Sequence, residues 1–226
     1  MSGYWVVIAM LAIAVVAVLV AVAAEDQSDR PPRPVHGDAR SDRAVVILGT
    51  AQDDSGNDWV ARLGAHLPPS VTVRDLRIAE GTLASIPREH LASALAAAPA
   101  LVVLGPPFAD IESGVSLTSY EQDLAAILAT LATNDIRAVV GNLPRLDTID
   151  PNPMSPERSA MLRLTGEHWN AAIARLASAY GADVVDLDPL SDPPTPDLSS
   201  PDRLADLFRP VVLASLANAT VAPAAR

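Results

Sequence analysis

Polarity along the chain falls into three regimes. Tyr4 to Ala24 is a run of 21 residues without a charged or strongly polar side chain. At about 1.5 Å per residue, a helix of that length spans roughly 31 Å, enough for the hydrocarbon core of a bilayer. Residues 25–43 reverse the pattern with three Pro and nine Asp, Glu or Arg. That composition predicts a solvated, extended linker. From residue 44 to 220, short apolar, β-branched runs alternate with longer stretches of helical period. Three segments follow: 1–24 as a membrane anchor or signal segment, 25–43 as a disordered linker, and 44–220 as the folded domain.

Within the domain, strands are expected at Ala44–Leu48, Val71–Leu76, Leu101–Leu104, Arg137–Val140 and Asp183–Leu187. Several of these runs are continuously apolar, as parallel strands covered on both faces require. Helices are expected over 57–66, 88–98, 118–133 and 155–180, with a last one near 201–217. In the long helix, Trp169, Ile173, Leu176 and Tyr180 recur at spacings of four, three and four, which marks one buried face. Ser155-Pro156 opens it as N-cap and first-turn proline, and Gly181 closes it. Thr118 with Glu121 resembles a capping box for the preceding helix. Five such units predict a three-layer α/β/α sandwich around a five-stranded parallel sheet with right-handed crossovers. Ligands bind beyond the carboxyl ends of such strands. The chemistry is therefore sought in Gly49–Asp58, Arg77–Thr82, Gly105–Leu117, Gly141–Pro153 and Asp188–Asp202.

Composition narrows that chemistry. The chain has no Cys and no Lys, four His, and a formal charge of -11. Thiolate catalysis, disulfides and Cys-ligated metals are excluded, as are Schiff bases and a P-loop lysine. General base work by imidazole would have to use His36, His66, His90 or His168. The acid excess opposes nucleic-acid binding. At the amino terminus an uncleaved anchor competes with a cleaved signal peptide. The run exceeds the usual signal core of about 7–15 residues, but Ala21-Val22-Ala23 would serve as a cleavage site. Four Arg follow the run (Arg30, Arg33, Arg40, Arg43) and none precedes it, which points the domain towards the cytoplasm.

The strand ends carry a resemblance. Val139-Val140-Gly141-Asn142-Leu143-Pro144, then Trp169-Asn170-Ala171-Ala172-Ile173, then Gly181 and Val184-Val185-Asp186-Leu187, stand in the order and spacing common in the SGNH hydrolases, the GDSL esterases and lipases. Asp58-Trp59-Val60-Ala61-Arg62-Leu63 and Gly114-Val115-Ser116-Leu117 with Tyr120 are similar too. The resemblance implies an SGNH, flavodoxin-like fold and acyl-ester chemistry, with no metal and no other cofactor. It also implies where the reactive groups belong. The family's Gly-Asp-Ser turn reads Gly49-Thr50-Ala51, so the nucleophile position is Ala51. The Gly of its second block falls on Glu80, with Gly81 next. The Gly-x-Asn-Asp block reads Pro107-Phe108-Ala109-Asp110, so the Asn that donates to the oxyanion becomes Ala109. Its Asp-x-x-His block reads Asp202-Arg203-Leu204-Ala205, so the base becomes Ala205. The expected pocket comprises Gly49, Thr50, Ala51, Gly81, Phe108, Ala109, Asp110 and Asn142.

Alanine supplies no nucleophile, proton acceptor or side-chain donor. Acyl transfer needs all three functions. The expectation is therefore a membrane-tethered pseudoenzyme that binds or scaffolds. Its partners would be the membrane, through the amino-terminal helix, and an acyl or glycan ligand or a protein at the cell envelope. Family precedent, in which the domain is often exported, favours the extracytoplasmic side over the Arg asymmetry. The alternative is a working esterase that uses displaced residues such as Ser55. Asp53, Asp54, Asp58, Asp110 and Asp202 could converge on the strand ends and bind Mg²⁺ or Ca²⁺, but they read better as a solvated rim with helix caps. Asn218-Ala219-Thr220 matches a glycosylation sequon, a match that chance explains.

Overall fold

The structure is a computed structural model that describes residues 43–51, 59–79, 81–148, 154–191 and 200–219. The amino-terminal apolar segment and residues 25–42 of the linker lie outside the described residues, and Arg43 already belongs to the first strand. Among the described residues, no helix is long and apolar enough to cross a membrane.

Five parallel strands form the central sheet: β1 (Arg43–Leu48), β3 (Val71–Asp75), β5 (Leu101–Leu104), β6 (Arg137–Gly141) and β7 (Asp183–Val185), in the order β3-β1-β5-β6-β7. Two short strands, β2 (Thr50–Ala51) and β4 (Ile78–Ala79), pair separately. Successive side chains of a strand face opposite ways, and β1 divides accordingly. Val46 and Leu48 enter one core, and Val45 and Ile47 the other. All four are fully buried, which accounts for a continuous apolar run where an exposed sheet would alternate.

The helices are α1 (Trp59–His66), α2 (Ile86–Glu89), α3 (Leu91–Ala96), α4 (Phe108–Glu112), α5 (Leu117–Thr133), α6 (Pro156–Tyr180) and α7 (Pro201–Ala219). Helices α3, α5 and α6 cover the face of Val46, while α1 and α7 cover that of Val45. Tyr120 of α5 and Trp169 of α6 meet in the first core with ring centroids 4.7 Å apart. Trp59 of α1 and Phe208 of α7 meet in the second at the same separation. The three-layer α/β sandwich read from the sequence is therefore present.

Four local expectations are corrected. The helix expected over 88–98 is two, because the backbone of His90 leaves helical geometry at φ -124°. The strands expected to reach Leu76 and Leu187 stop at Asp75 and Val185. Thr118 and Glu121 do not form the capping box. Ser116 is the N-cap of α5, accepting from the Ser119 N–H, and Glu121 instead binds Arg175 at 2.7 Å. Tyr180, the last residue of α6, is exposed. At the ends of α6 the expectations hold: the Ser155 hydroxyl accepts from the Arg158 N–H, and Gly181 adopts φ +67°.

Candidate functional site

Strand β1 is flanked by β3 on one side and β5 on the other, so the chain order reverses between β1 and β5. Open α/β sheets bind ligands at this point. Two glycines meet there. Gly49, just past β1, has φ +130°, and a Cβ on it would lie 3.3 Å from the backbone N of Gly105, just past β5. A side chain at 49 would be strained by its backbone angle and crowded by a main chain. The turn lets the next two residues leave the main sheet, so that Thr50 and Ala51 pair with Ile78 and Ala79. Ala51 is thus at the carboxyl end of β1, beside the strand that leads to position 80.

Asp110 anchors the opposite side. It lies in the short helix α4 and is only 4% exposed. Its Oδ1 accepts from the Leu83 N–H at 3.0 Å, which ties the segment after β4 to the segment after β5. Burial pushes the Asp110 carboxyl above its ordinary pKa. The Leu83 N–H opposes that shift, and the nearby Asp123 charge adds to it. Tyr120 is fully buried, and burial with the adjacent Asp110 charge raises its phenol further above its ordinary value. Asp110, Tyr120, Gly49, Thr50 and Pro107 line a cavity of about 10 Å³. That is roughly the space for one water molecule.

The structure brings together the Gly49-Thr50 turn and the Pro107–Asp110 segment, but not every candidate joins them. Ala109 is half-buried in the first turn of α4. Phe108 packs against the first core and does not line this cavity. Gly81 lies against Ile78 and Ser85. Glu80, Ser55, Asp53, Asp54 and Asp58 lie outside the described residues, and of Ala51 only the backbone is described.

Ala205 stands apart from the Gly49 turn. It sits inside α7, is fully buried, and belongs to the second core with Trp59 and Phe208. It does not line the cavity beside Gly49. Asp202, in the first turn of α7, pairs with Arg62 of α1 at 3.4 Å and does not meet Asp110. The segment before α7 holds another Asp-x-x frame, Asp192-Pro193-Pro194-Thr195, outside the described residues. In either frame the fourth position is not histidine, since the last histidine of the chain is His168. His168 and His66 are exposed on helices, and His90 lies between α2 and α3. Among the described residues no cluster of three potential ligands could hold a metal ion.

Asn142 proves to be a clamp and does not line this cavity. Its amide donates to Asp186 Oδ1 at 3.0 Å, and its oxygen accepts from the Leu187 N–H at 2.7 Å. Asn170 does the same for the following residue: it accepts from the Leu143 N–H and donates to the Leu143 carbonyl, both at 2.8 Å. The sequence signal for both was a polar amide embedded in an apolar run.

The sequence profile of the GDSL-like lipase/acylhydrolase family matches residues 36–210. No curated relative matches. Among solved structures, the chain is similar to the acetyl xylan esterase AlAXEase at 14% identity and a TM-score of 0.59, with 75% of this chain and 99% of that one covered. It is similar to a psychrotrophic esterase from Pseudoalteromonas sp. at 17% identity and a TM-score of 0.53, over 78% of this chain and 98% of that one. A GDSL-like lipase from Bacteroides thetaiotaomicron is 16% identical with a TM-score of 0.54, over 85% of this chain and 96% of that one. At these identities the structural likeness is one of fold.

Proposed function

The chain belongs to the GDSL-like lipase/acylhydrolase family, and on that premise we propose that its domain has lost the family's reaction and serves as a membrane-tethered binding or scaffolding domain. The observation that carries the proposal is the identity of two residues on a retained frame. Gly49 turns the chain after β1 and Asp110 anchors the segment after β5, while the positions that the resemblance assigns to nucleophile and oxyanion donor read Ala51 and Ala109. Loss of one oxyanion donor alone lowers rates by about 10²–10³. Loss of the nucleophile removes the covalent route itself. The absence of any histidine beyond His168 extends the same reading to the base.

The tether is the apolar segment Tyr4–Ala24, and the domain stands on the extracytoplasmic side. There it meets an acyl or glycan ligand, or a protein partner, at the cell envelope. A reporter fused after Arg226 tests that topology: activity of an export-dependent reporter supports it, and activity of a cytoplasmic one overturns it. For the chemistry, the full-length protein is treated with a fluorophosphonate serine probe. No covalent labelling is expected. Labelling that disappears in Ser55→Ala would show a displaced nucleophile and end the pseudoenzyme reading.

A further inference from the structure

A second cavity among the described residues measures about 260 Å³ and lies two strands away from the Gly49 turn. It opens at the carboxyl ends of β6 and β7. The turn after β6 contributes Pro144, Arg145 and Leu146. One face of α6 contributes Arg163, Gly166, Glu167 and Asn170, at helical spacings of three, one and three. Asp188, after β7, completes the rim.

The walls are held before any ligand arrives. Both polar atoms of Asn170 are engaged by Leu143, and Asn142 ties the end of β6 to Asp186 and Leu187. Gly166 gives the cavity its depth. A glycine inside a helix is less favourable than alanine by about 1 kcal/mol. At this one the wall comes so close that a Cβ would sit 3.4 Å from Leu146 Cγ. A larger side chain would fill the space between helix and turn. The volume lies below the roughly 300–1,000 Å³ of pockets that bury drug-sized ligands, so the occupant is small.

Charge selects its chemistry. The turn and the helix each present one guanidinium, Arg145 and Arg163. Each is held by an acid of its own element: Asp147 at 3.1 Å and Glu167 at 2.9 Å. The Arg163–Glu167 bond uses one guanidinium nitrogen, Nη1. Nε and Nη2 have no protein partner among the described residues and remain as a donor pair of the kind that matches a carboxylate. Glu167 and Asp188 are acceptors, suited to hydroxyl groups, and they repel a dianion such as phosphate. We infer that this pocket binds a small hydroxylated monocarboxylate of monosaccharide size, its carboxylate on Arg163 and its hydroxyls on Glu167 and Asp188. The inference holds whether or not the domain hydrolyses esters.

The test is calorimetric titration of the full-length protein in mild detergent with D-glucuronate, D-glucose and inorganic phosphate. Glucuronate is expected to bind, and glucose and phosphate to bind at least about tenfold more weakly, the scale of one charge-assisted hydrogen bond. Arg163→Gln is expected to lower glucuronate affinity about tenfold or more and to erase its advantage over glucose. The side chain is half exposed, so the variant should keep the wild-type circular dichroism spectrum. Glu167→Gln should weaken glucuronate while relaxing the exclusion of phosphate. Failure of glucuronate to bind, equal binding of glucose or phosphate, or an Arg163→Gln variant that binds glucuronate as wild type does would each overturn the inference.

Discussion

Replacing Asp110 separates two effects that the native residue combines. Its Oδ1 is the acceptor for the Leu83 N–H at 3.0 Å, and its carboxylate is 4% exposed. Hydrogen bonds to a charged group contribute about 1.5–3 kcal/mol, and a buried donor left without a partner costs about 1–3 kcal/mol. Burying the charge works against the fold, as the raised pKa shows. A folded pKa above the unfolded one means that the native state binds the proton more tightly. Stability therefore falls as pH rises from the ordinary carboxylate range through the raised value. Asp110→Asn keeps an acceptor for Leu83 and removes the charge. Asp110→Ala removes both. At pH 7, Asp110→Ala is expected to be about 1–3 kcal/mol less stable than wild type, and Asp110→Asn equal to it or more stable. On acidification the advantage of Asp110→Asn should shrink, because wild type recovers the stability that the buried charge withheld. Urea unfolding followed by tryptophan fluorescence, at neutral pH and near pH 4 where carboxylates titrate, measures all three proteins. An alanine variant as stable as wild type, or an asparagine variant as damaged as the alanine one, would refute the anchoring role. An asparagine advantage that is constant with pH would refute the buried charge.

Two further outcomes follow from the same frame. The double variant Ala51→Ser with Ala109→Asn should still hydrolyse p-nitrophenyl acetate at the background rate, since no histidine follows His168 to act as base; a burst of product, or probe labelling at position 51, would contradict this. Asn142→Ala removes the hydrogen bonds to Asp186 and Leu187 and should lower stability by about 1–3 kcal/mol, read as a lower urea midpoint with an unchanged slope.

The sheet was legible because its strands carry their burial in their composition. Leu101–Leu104 has no polar residue, and all four side chains are buried. The edge strand β3, by contrast, is less buried, with Thr72, Arg74 and Asp75 exposed. What could not be read from the sequence was phase and partnership over long separations. Ala205 fits an Asp-x-x spacing, yet the spacing does not reveal that α7 has already begun at Pro201 and faces its second turn into the core. The clamps were hidden for another reason. Asn142 and Leu187 are 45 residues apart, and Asn170 and Leu143 are 27 apart. Each pair is joined only when the parallel strands and α6 come together. The sequence resemblance supplied the family, and the structure supplied the work that its asparagines do here.

On the proposed reading, the stretches that resemble the family hold two kinds of residue. Gly49, Asp110 and Asn142 govern backbone path: a turn that a side chain would strain, an acceptor for Leu83, and a clamp across β6 and β7. Their loss would loosen the sheet ends whatever the domain does. A nucleophile and an oxyanion donor carry no such duty. Poised for a substrate, they stand partly desolvated without a partner, and active sites of that kind trade stability for reaction. On the proposed reading, alanine at 51 and 109 spares the fold that cost and leaves the turns untouched. Frame and chemistry are then separable by two readouts taken together: Asp110→Ala should lower the urea midpoint, whereas Ala51→Ser with Ala109→Asn should leave it unchanged and bring no gain of activity. A domain used for its shape can keep the first set and dispense with the second, as we propose for residues 49–51 and 107–110.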